Sequence, residues 1–406
     1  MEQHIAANLP AYVTRITETL ESAGHRGYLV GGSLRDLLLG KTPHDFDLTT
    51  DATPDEMVEI FSDFRVIPTG LKHGTLTVLS DGQPIEITTH RVDGEYIDSR
   101  RPESVCFTRR LADDLSRRDF TVNAMAWSKA TGLVDLFGGQ KDLRRGVIRA
   151  VGDPTARFTE DALRILRAFR FAAQLDFEIE KNTLLAARDT KEGLAHISAE
   201  RIFAEITRLL LSPAAARGLS ALLAANCEKQ VFFDTVPCPS AINALAALPA
   251  DAALRLALLL REYSADAAEA LCRRWRAPNA FTDEVTGILK AVREDLPDTP
   301  YAARRFVSTF WQSWQGALAL RRAMGEDTEQ TYQLCKKVAN NGTAISIRGL
   351  AINGKELQDA VGVCPAQTGA LLSRLQQLCW QEPSRNKKAT LLALATEICQ
   401  NEKGFI

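Results

Sequence analysis

At 406 residues the chain is too long for one ordinary hydrophobic core and predicts roughly two to four structural units of about 100–200 residues each. Its 45% hydrophobic and 25% charged residues exclude a disordered chain, and a net charge of −2 argues against a protein that coats long nucleic acid, though not against one that grips a single RNA end. No stretch approaches the roughly 18 apolar residues of a membrane span, and Met1 to Gly24 lacks the apolar run of a signal peptide, so a cytoplasmic protein with no membrane contact is expected.

From the N-terminus, a segment with apolar residues at helical spacing leads into strand-like runs at Tyr28-Leu29-Val30, Asp45 to Thr49, Leu76 to Leu79, Ile85 to Thr88 and Val105 to Thr108. Gly, Pro and Asp turns separate them, which predicts a mixed α/β domain. Beyond Arg149 the chain becomes Ala- and Leu-rich with helical periodicity, as in Ala162 to Leu175, Ser198 to Leu211 and Ala252 to Glu262, so the remainder is expected to be all-helical. Joints are expected at Ser212-Pro213, Val236 to Pro239 and Asn340-Asn341-Gly342. The eight cysteines are scattered with no Cys-x-x-Cys pair and read as buried, reduced thiols. Arginine pairs at Arg100–Arg101, Arg109–Arg110, Arg117–Arg118 and Arg144–Arg145 can form a local phosphate-binding surface; solvated faces are the plainer alternative.

Three patterns carry chemistry. In Tyr28-Leu29-Val30-Gly31-Gly32-Ser33-Leu34-Arg35-Asp36 a strand breaks at two glycines into a helix beginning near Ser33. Gly32 lets backbone N–H groups approach a phosphate, and Arg35, one turn in, can clamp a phosphate oxygen. In His44-Asp45-Phe46-Asp47-Leu48-Thr49 the two carboxylates are expected on one strand face, where hard oxygen ligands can share a pair of Mg²⁺ ions and serve phosphoryl transfer. A turn or a solvated edge is the bland alternative. Glu86, between Ile85 and Ile87, is expected on a core strand as a third, buried catalytic carboxylate, with a salt bridge to an arginine as the alternative.

Gly31-Gly32-x-x-Arg35-Asp36 followed by Asp45-x-Asp47 resembles the head of the DNA polymerase β nucleotidyltransferase superfamily, and more closely the bacterial class II tRNA CCA-adding enzymes and their poly(A) polymerase cousins. The likeness continues through Arg117-Arg118-Asp119-Phe120-Thr121-Val122-Asn123-Ala124-Met125-Ala126, similar to the family's ribose-recognition motif, and Asp135 to Arg149, similar to its hinge between head and neck. Asp119 and Asn123 are expected to share a helix face and to hydrogen-bond ribose hydroxyls, with a helix N-cap as the alternative for Asp119. In Thr159 to Phe171, Thr159 is expected to cap a helix whose stripe of Ala162, Ile165, Leu166, Phe169 and Ala173 is apolar. Asp161 and Arg164 would then lie side by side on the opposite face and read a base edge, unless they merely pair with each other; Arg167 and Arg170 continue that face toward phosphates. In the family this motif is the protein template that selects CTP and ATP.

The resemblance implies an α+β protein with a nucleotidyltransferase head at 1–149, an all-helical neck at 150–211, a body at 212–339 and a tail at 340–406. It implies Mg²⁺ at Asp45 and Asp47, catalysis by Asp45, Asp47 and Glu86, and nucleotide contacts from Gly32, Arg35, Arg118, Asp119, Asn123, Asp161, Arg164, Arg167 and Arg170. The implied activity is addition of C, C and A to the 3′ end of tRNA from CTP and ATP. Alternatives are A-only addition, poly(A) synthesis, or a silent RNA-binding protein; the oligomeric state stays open, a homodimer among the options. His196 to Ile202 resembles a neck-stabilising motif and Leu350 to Leu357 a tail segment that approaches the tRNA elbow. Asp93 to Pro102 matches a flexible loop that acts as a lever in the switch to ATP. All six histidines lie at or before His196, so a metal-dependent phosphohydrolase domain is not expected in the C-terminal half.

Overall fold

Two helices, α1 (Glu2–Asn8) and α2 (Ala11–Ser22), precede the first strand of the computed structural model, which describes residues 2–93, 105–340 and 346–401. In α2 the buried residues Val13, Ile16 and Leu20 recur at helical spacing. Strand β1 (Gly27–Val30) runs directly into α3 (Gly31–Leu38). Gly31, at the turn, has φ +67°, where a side chain would be strained, so the backbone itself calls for this glycine. There follow β2 (Asp47–Thr50), α4 (Pro54–Ile60), β3 (Arg65–Gly70), β4 (Thr75–Ser80), β5 (Gln83–Thr89), β6 (Arg91–Asp93), β7 (Val105–Phe107), α5 (Leu111–Ser116), β8 (Met125–Ser128), β9 (Gly132–Asp135) and α6 (Gly139–Arg145).

Seven strands form one sheet in the order β3-β4-β5-β2-β1-β8-β9, antiparallel except for the β2–β5 pair. Alternation along the strands gives the sheet two different faces. Leu29, Leu48 and Trp127 share a small apolar hollow with Val13 and Thr17 of α2. Val30 lies opposite Asp47, and Asp47 opposite Glu86, so both carboxylates stand on the other face. β6 and β7 pair with each other and flank residues 94–104, so the expected lever loop lies outside the described residues.

Several expectations are corrected here. Asp45 precedes β2, in a bend, rather than starting the strand. Glu86 is exposed, not buried: Ile85 and Ile87 turn into the core and the strand period turns Glu86 outward. Asp119 and Asn123 do not share an α-helix; Thr121–Asn123 is a single 3-10 turn tied to the following segment by Thr121 N donating to Arg149 O at 2.9 Å. β3, β6, β8 and β9 arise from stretches not expected to be strands, and a short parallel pairing of Val147–Ile148 with Glu178–Ile179 puts extended backbone into the neck expected to be all-helical.

Two short helices, α7 (Pro154–Glu160) and α8 (Leu163–Leu175), stand where one was expected. Asp153 caps α7, with Pro154 at its first position. Thr159 therefore lies within α7 and caps nothing, while Asp161 sits between the helices in extended backbone, φ −139° and ψ 100°. The stripe Ala162, Ile165, Leu166, Phe169 and Ala173 is buried as expected. After α9 (Lys181–Asp189), α10 (Ala199–Leu211) and α11 (Ala215–Ala224) both pack on α8. Because α11 belongs with α8, the division expected at 212 falls inside a packed unit; the chain divides into Met1–Ala246 and Ala247–Ile406.

The second unit is all-helical among the described residues. One cluster gathers Phe306, Trp314, Leu318 and Val338, and another Ile352, Leu357, Leu371 and Leu391. The tail segment begins a helix at Gly354 with a capping box between Asn353 and Glu356. Cys227, Cys272, Cys335, Cys379 and Cys399 are buried, whereas Cys106 and Cys364 are exposed, against expectation. No described helix is long and apolar enough to cross a membrane.

Candidate active site

The strand face bearing Asp47 opens into a cavity of about 810 Å³ bounded by the N-terminus of α3, the Arg117–Asn123 segment and the polar sides of α8 and α10. Gly32, Arg35, Asp45, Asp47, Arg118, Asp119, Asn123, Asp161, Arg164, Arg167 and Arg170 all line it, so sequence-distant candidates converge on one space. Glu86 lies beside it, lining an adjoining hollow with Asp47, Thr88 and Arg118.

At one end the carboxylates crowd. Burial, then the neighbouring Asp45 and Glu86, pushes the Asp47 carboxyl up to about 6, with Arg118 opposing. Arg118 is aimed here: a Cβ built on Gly31 would stand 3.5 Å from Arg118 Nη1 and 3.7 Å from Asp47 Oδ2. Among the described residues no group of three or more His, Cys, Asp or Glu side chains forms a metal cage. A cation held by Asp45 and Asp47 would leave most of an octahedral shell to phosphate and water.

Arg35 is almost wholly buried and turned inward. It donates from Nε and Nη2 to Asp36 Oδ1 (2.9 and 2.7 Å) and from Nη1 to Asn123 Oδ1 (2.9 Å). Asp119 Oδ2 accepts from Arg167 Nε (2.8 Å) and Nη2 (2.5 Å), and its Oδ1 accepts from Phe120 N (2.8 Å) and Asn123 Nδ2 (3.3 Å). Burial alone would raise the Asp119 carboxyl, but Arg167 overrides it and holds it at about 2. Asp119 thus has no acceptor position left, whereas Asn123 Oδ1 retains one.

At the far end the two base-reading candidates do not pair with each other. Arg164 donates from Nη1 to Glu160 Oε2 (2.8 Å) and Arg157 O (3.2 Å), and from Nη2 to Arg117 O (2.9 Å). This leaves its Nε and one Nη2 hydrogen outside those bonds. Asp161 Oδ1 accepts from Leu163 N (3.1 Å) and Oδ2 from Arg201 Nη2 (3.4 Å). The helix break separates the pair, and each is steadied by a third residue instead. Arg201 Nη1 is itself buried without a hydrogen-bond partner.

Sequence reasoning missed Arg201, Arg208 and Phe171, all of which line the cavity. The Phe171 ring lies 5.3 Å from the guanidinium carbons of Arg35 and Arg167 and 4.1 Å from that of Arg170. Arg170 also meets Glu205 at 2.9 Å, and burial lowers its guanidinium to about 10. Arg201 belongs to the stretch read as structural; its contact with Asp161 arises only because α10 packs against α8.

The chain matches the family described as "Poly A polymerase head domain" over residues 27–149, the "RNA and SrmB- binding site of polymerase A" over 176–233 and "tRNA nucleotidyltransferase domain 2" over 250–395. It is 35% identical over 396 residues to the CCA-adding enzyme of Streptococcus suis, covering 95% of this chain and 96% of that protein. It is 33% identical over 410 residues to the CCA-adding enzyme of Enterococcus faecalis, covering 96% of each. Among solved structures, the Bacillus stearothermophilus CCA-adding enzyme in complex with CTP superimposes with a TM-score of 0.82 at 29% identity, over 98% of this chain and 100% of that one.

Proposed function

This chain belongs to the CCA-adding enzymes of the tRNA nucleotidyltransferase and poly(A) polymerase family, and from that premise we propose how its residues divide the work of adding C, C and A to the 3′ end of tRNA from CTP and ATP. The observation that carries the assignment is the single cavity with a carboxylate end at Asp45 and Asp47 and a base-reading end at Asp161 and Arg164.

Mg²⁺ fits the carboxylate end. The donors are hard oxygens, and the upward push that Asp45 and Glu86 exert on Asp47 is the repulsion a cation relieves. Asp45 and Asp47 would hold the metal, with Glu86 beside them. A Mg²⁺ ion held by these carboxylates would supply the positive charge that activates a 3′-hydroxyl and offsets charge on a departing pyrophosphate. Gly31, Gly32 and Arg118 line the same space, where the backbone N–H groups of the glycine turn and the Arg118 guanidinium would bind the triphosphate. Arg35 holds Asn123, whose amide oxygen keeps one acceptor position for a ribose hydroxyl, and Asp119 holds Arg167. At the far end Asp161 accepts from the exocyclic amine that cytosine and adenine share, while Arg164 donates to a ring nitrogen or carbonyl. The 3′-oxygen of the RNA then bonds to the α-phosphorus as the bond to pyrophosphate breaks.

The test is sequencing of the 3′ ends made from a tRNA lacking CCA with Mg²⁺, CTP and ATP. Products ending in CCA are expected. Extension only of a tRNA already ending in CC marks an A-adding enzyme, and long adenosine tails a poly(A) polymerase.

A further inference from the structure

Asp114, in the last turn of α5, is wholly excluded from solvent and does not line the cavity, yet two cavity arginines converge on it. Arg117 donates to Oδ1 from Nε (3.0 Å) and Nη2 (2.5 Å), and Arg118 to Oδ2 from Nε (3.3 Å) and Nη2 (2.9 Å). The i,i+3 and i,i+4 spacing at the end of a helix brings both side chains back over one carboxylate. Its four acceptor positions are filled, which an isolated buried carboxylate could not achieve. Burial pushes the Asp114 carboxyl up, but Arg118 and Arg117 hold it at about 2.

Both forks use Nε and Nη2, so what remains of each arginine has a fixed direction. Arg118 Nη1 is left at the glycine turn beside Asp47. Arg117, pinned by its side chain, presents the backbone carbonyl that accepts from Arg164 Nη2 at 2.9 Å. One carboxylate thus stands one residue behind each end of the cavity.

We propose that Asp114 is a positioning residue for both ends of the nucleotide site, aiming Arg118 at the triphosphate and, through the Arg117 carbonyl, holding Arg164 against the base. The proposal rests on the nucleotide-binding reading of Arg118 and Arg164.

A double-mutant cycle tests it in the full chain, with a tRNA lacking CCA as acceptor. Asp114→Asn, Arg118→Ala and the double variant are compared for CTP KM, kcat and incorporation of GTP and UTP. Asp114→Asn is expected to raise CTP KM about tenfold or more, the scale of a charged hydrogen-bond network lost, and to increase misincorporation. In the Arg118→Ala background it should raise KM no further while still relaxing selectivity. Independent, multiplicative effects on KM, or unchanged KM and selectivity in Asp114→Asn, overturn the proposal in favour of a carboxylate that only stabilises the fold. If Arg118→Ala itself leaves CTP KM unchanged, the reading of Arg118 fails, and with it the arm of the proposal that acts through Arg118. Should Asp114→Asn give no cooperative melting transition, Asp114→Glu takes its place. That variant keeps the charge but displaces it by one methylene, and the same KM rise, absent in the Arg118→Ala background, is expected; wild-type KM and selectivity overturn the proposal.

Discussion

A carboxylate that ligates a metal and one that steadies an arginine differ in what their removal costs. Asp47→Ala is expected to abolish incorporation of both nucleotides while leaving tRNA affinity within a few-fold, because RNA affinity resides mainly in phosphate contacts. Filter binding alongside incorporation of labelled CTP separates the two, and appreciable turnover in the variant would remove Asp47 from the metal site. Arg164 has a double character, since it holds Glu160 and two carbonyls as well as lining the cavity. Arg164→Ala should therefore relax discrimination against GTP and UTP more than it slows addition. It should also lower stability by about 1–3 kcal/mol through the acceptors it abandons. Incorporation of all four nucleotides and a denaturant melt measure the two effects, and unchanged selectivity would reduce Arg164 to a structural brace.

Among the elements, α8 carries Arg164, Arg167 and Arg170, so whatever sets its position sets the reading end of the cavity. Gly218 of α11 is one such feature: a Cβ there would stand 2.5 Å from Phe169 O and 2.9 Å from Ala173 Cβ. Gly218→Ala is expected to cost about 1–3 kcal/mol by overpacking and to raise CTP KM. Thermal melting with steady-state kinetics checks it, and wild-type values in both would show that α8 is held by other contacts. The apolar stripe of α8 was legible in the sequence because it follows a helical period, whereas the period expected to place Asp45 and Asp47 on one strand held only for Asp47, since Asp45 lies in the bend before β2. The break between α7 and α8 was signalled by Asp153-Pro154, a cap and first-position proline that place a helix start upstream of Thr159. β8 gave no such signal, since Met125 and Ala126 favour helix and all four residues are buried, erasing the alternation. Glu86 misled for the opposite reason: flanking isoleucines mark a strand, and a strand turns its middle residue away from them. The partnership of Asp161 with Arg201 joins residues forty positions apart and had no local trace.

Across the whole molecule, every described residue lining the cavity precedes Ala246, so the cavity lies within the first of the two units. Hydrogen exchange of the full chain with CTP and Mg²⁺ but no RNA is expected to slow only in peptides from Met1–Ala246. Equal protection in Ala247–Ile406 would mean that the second unit also responds to nucleotide. Within the first unit, Asp161 occupies an extended residue between two helices rather than a helical turn. A group fixed in mid-helix can offer one outline to its ligand, but a group at an elbow changes its aim when the elbow bends, without exchanging a single side chain. An elbow residue answers to the two helices that meet at it, so the aim of the Asp161 carboxylate belongs to α7 and α8 together.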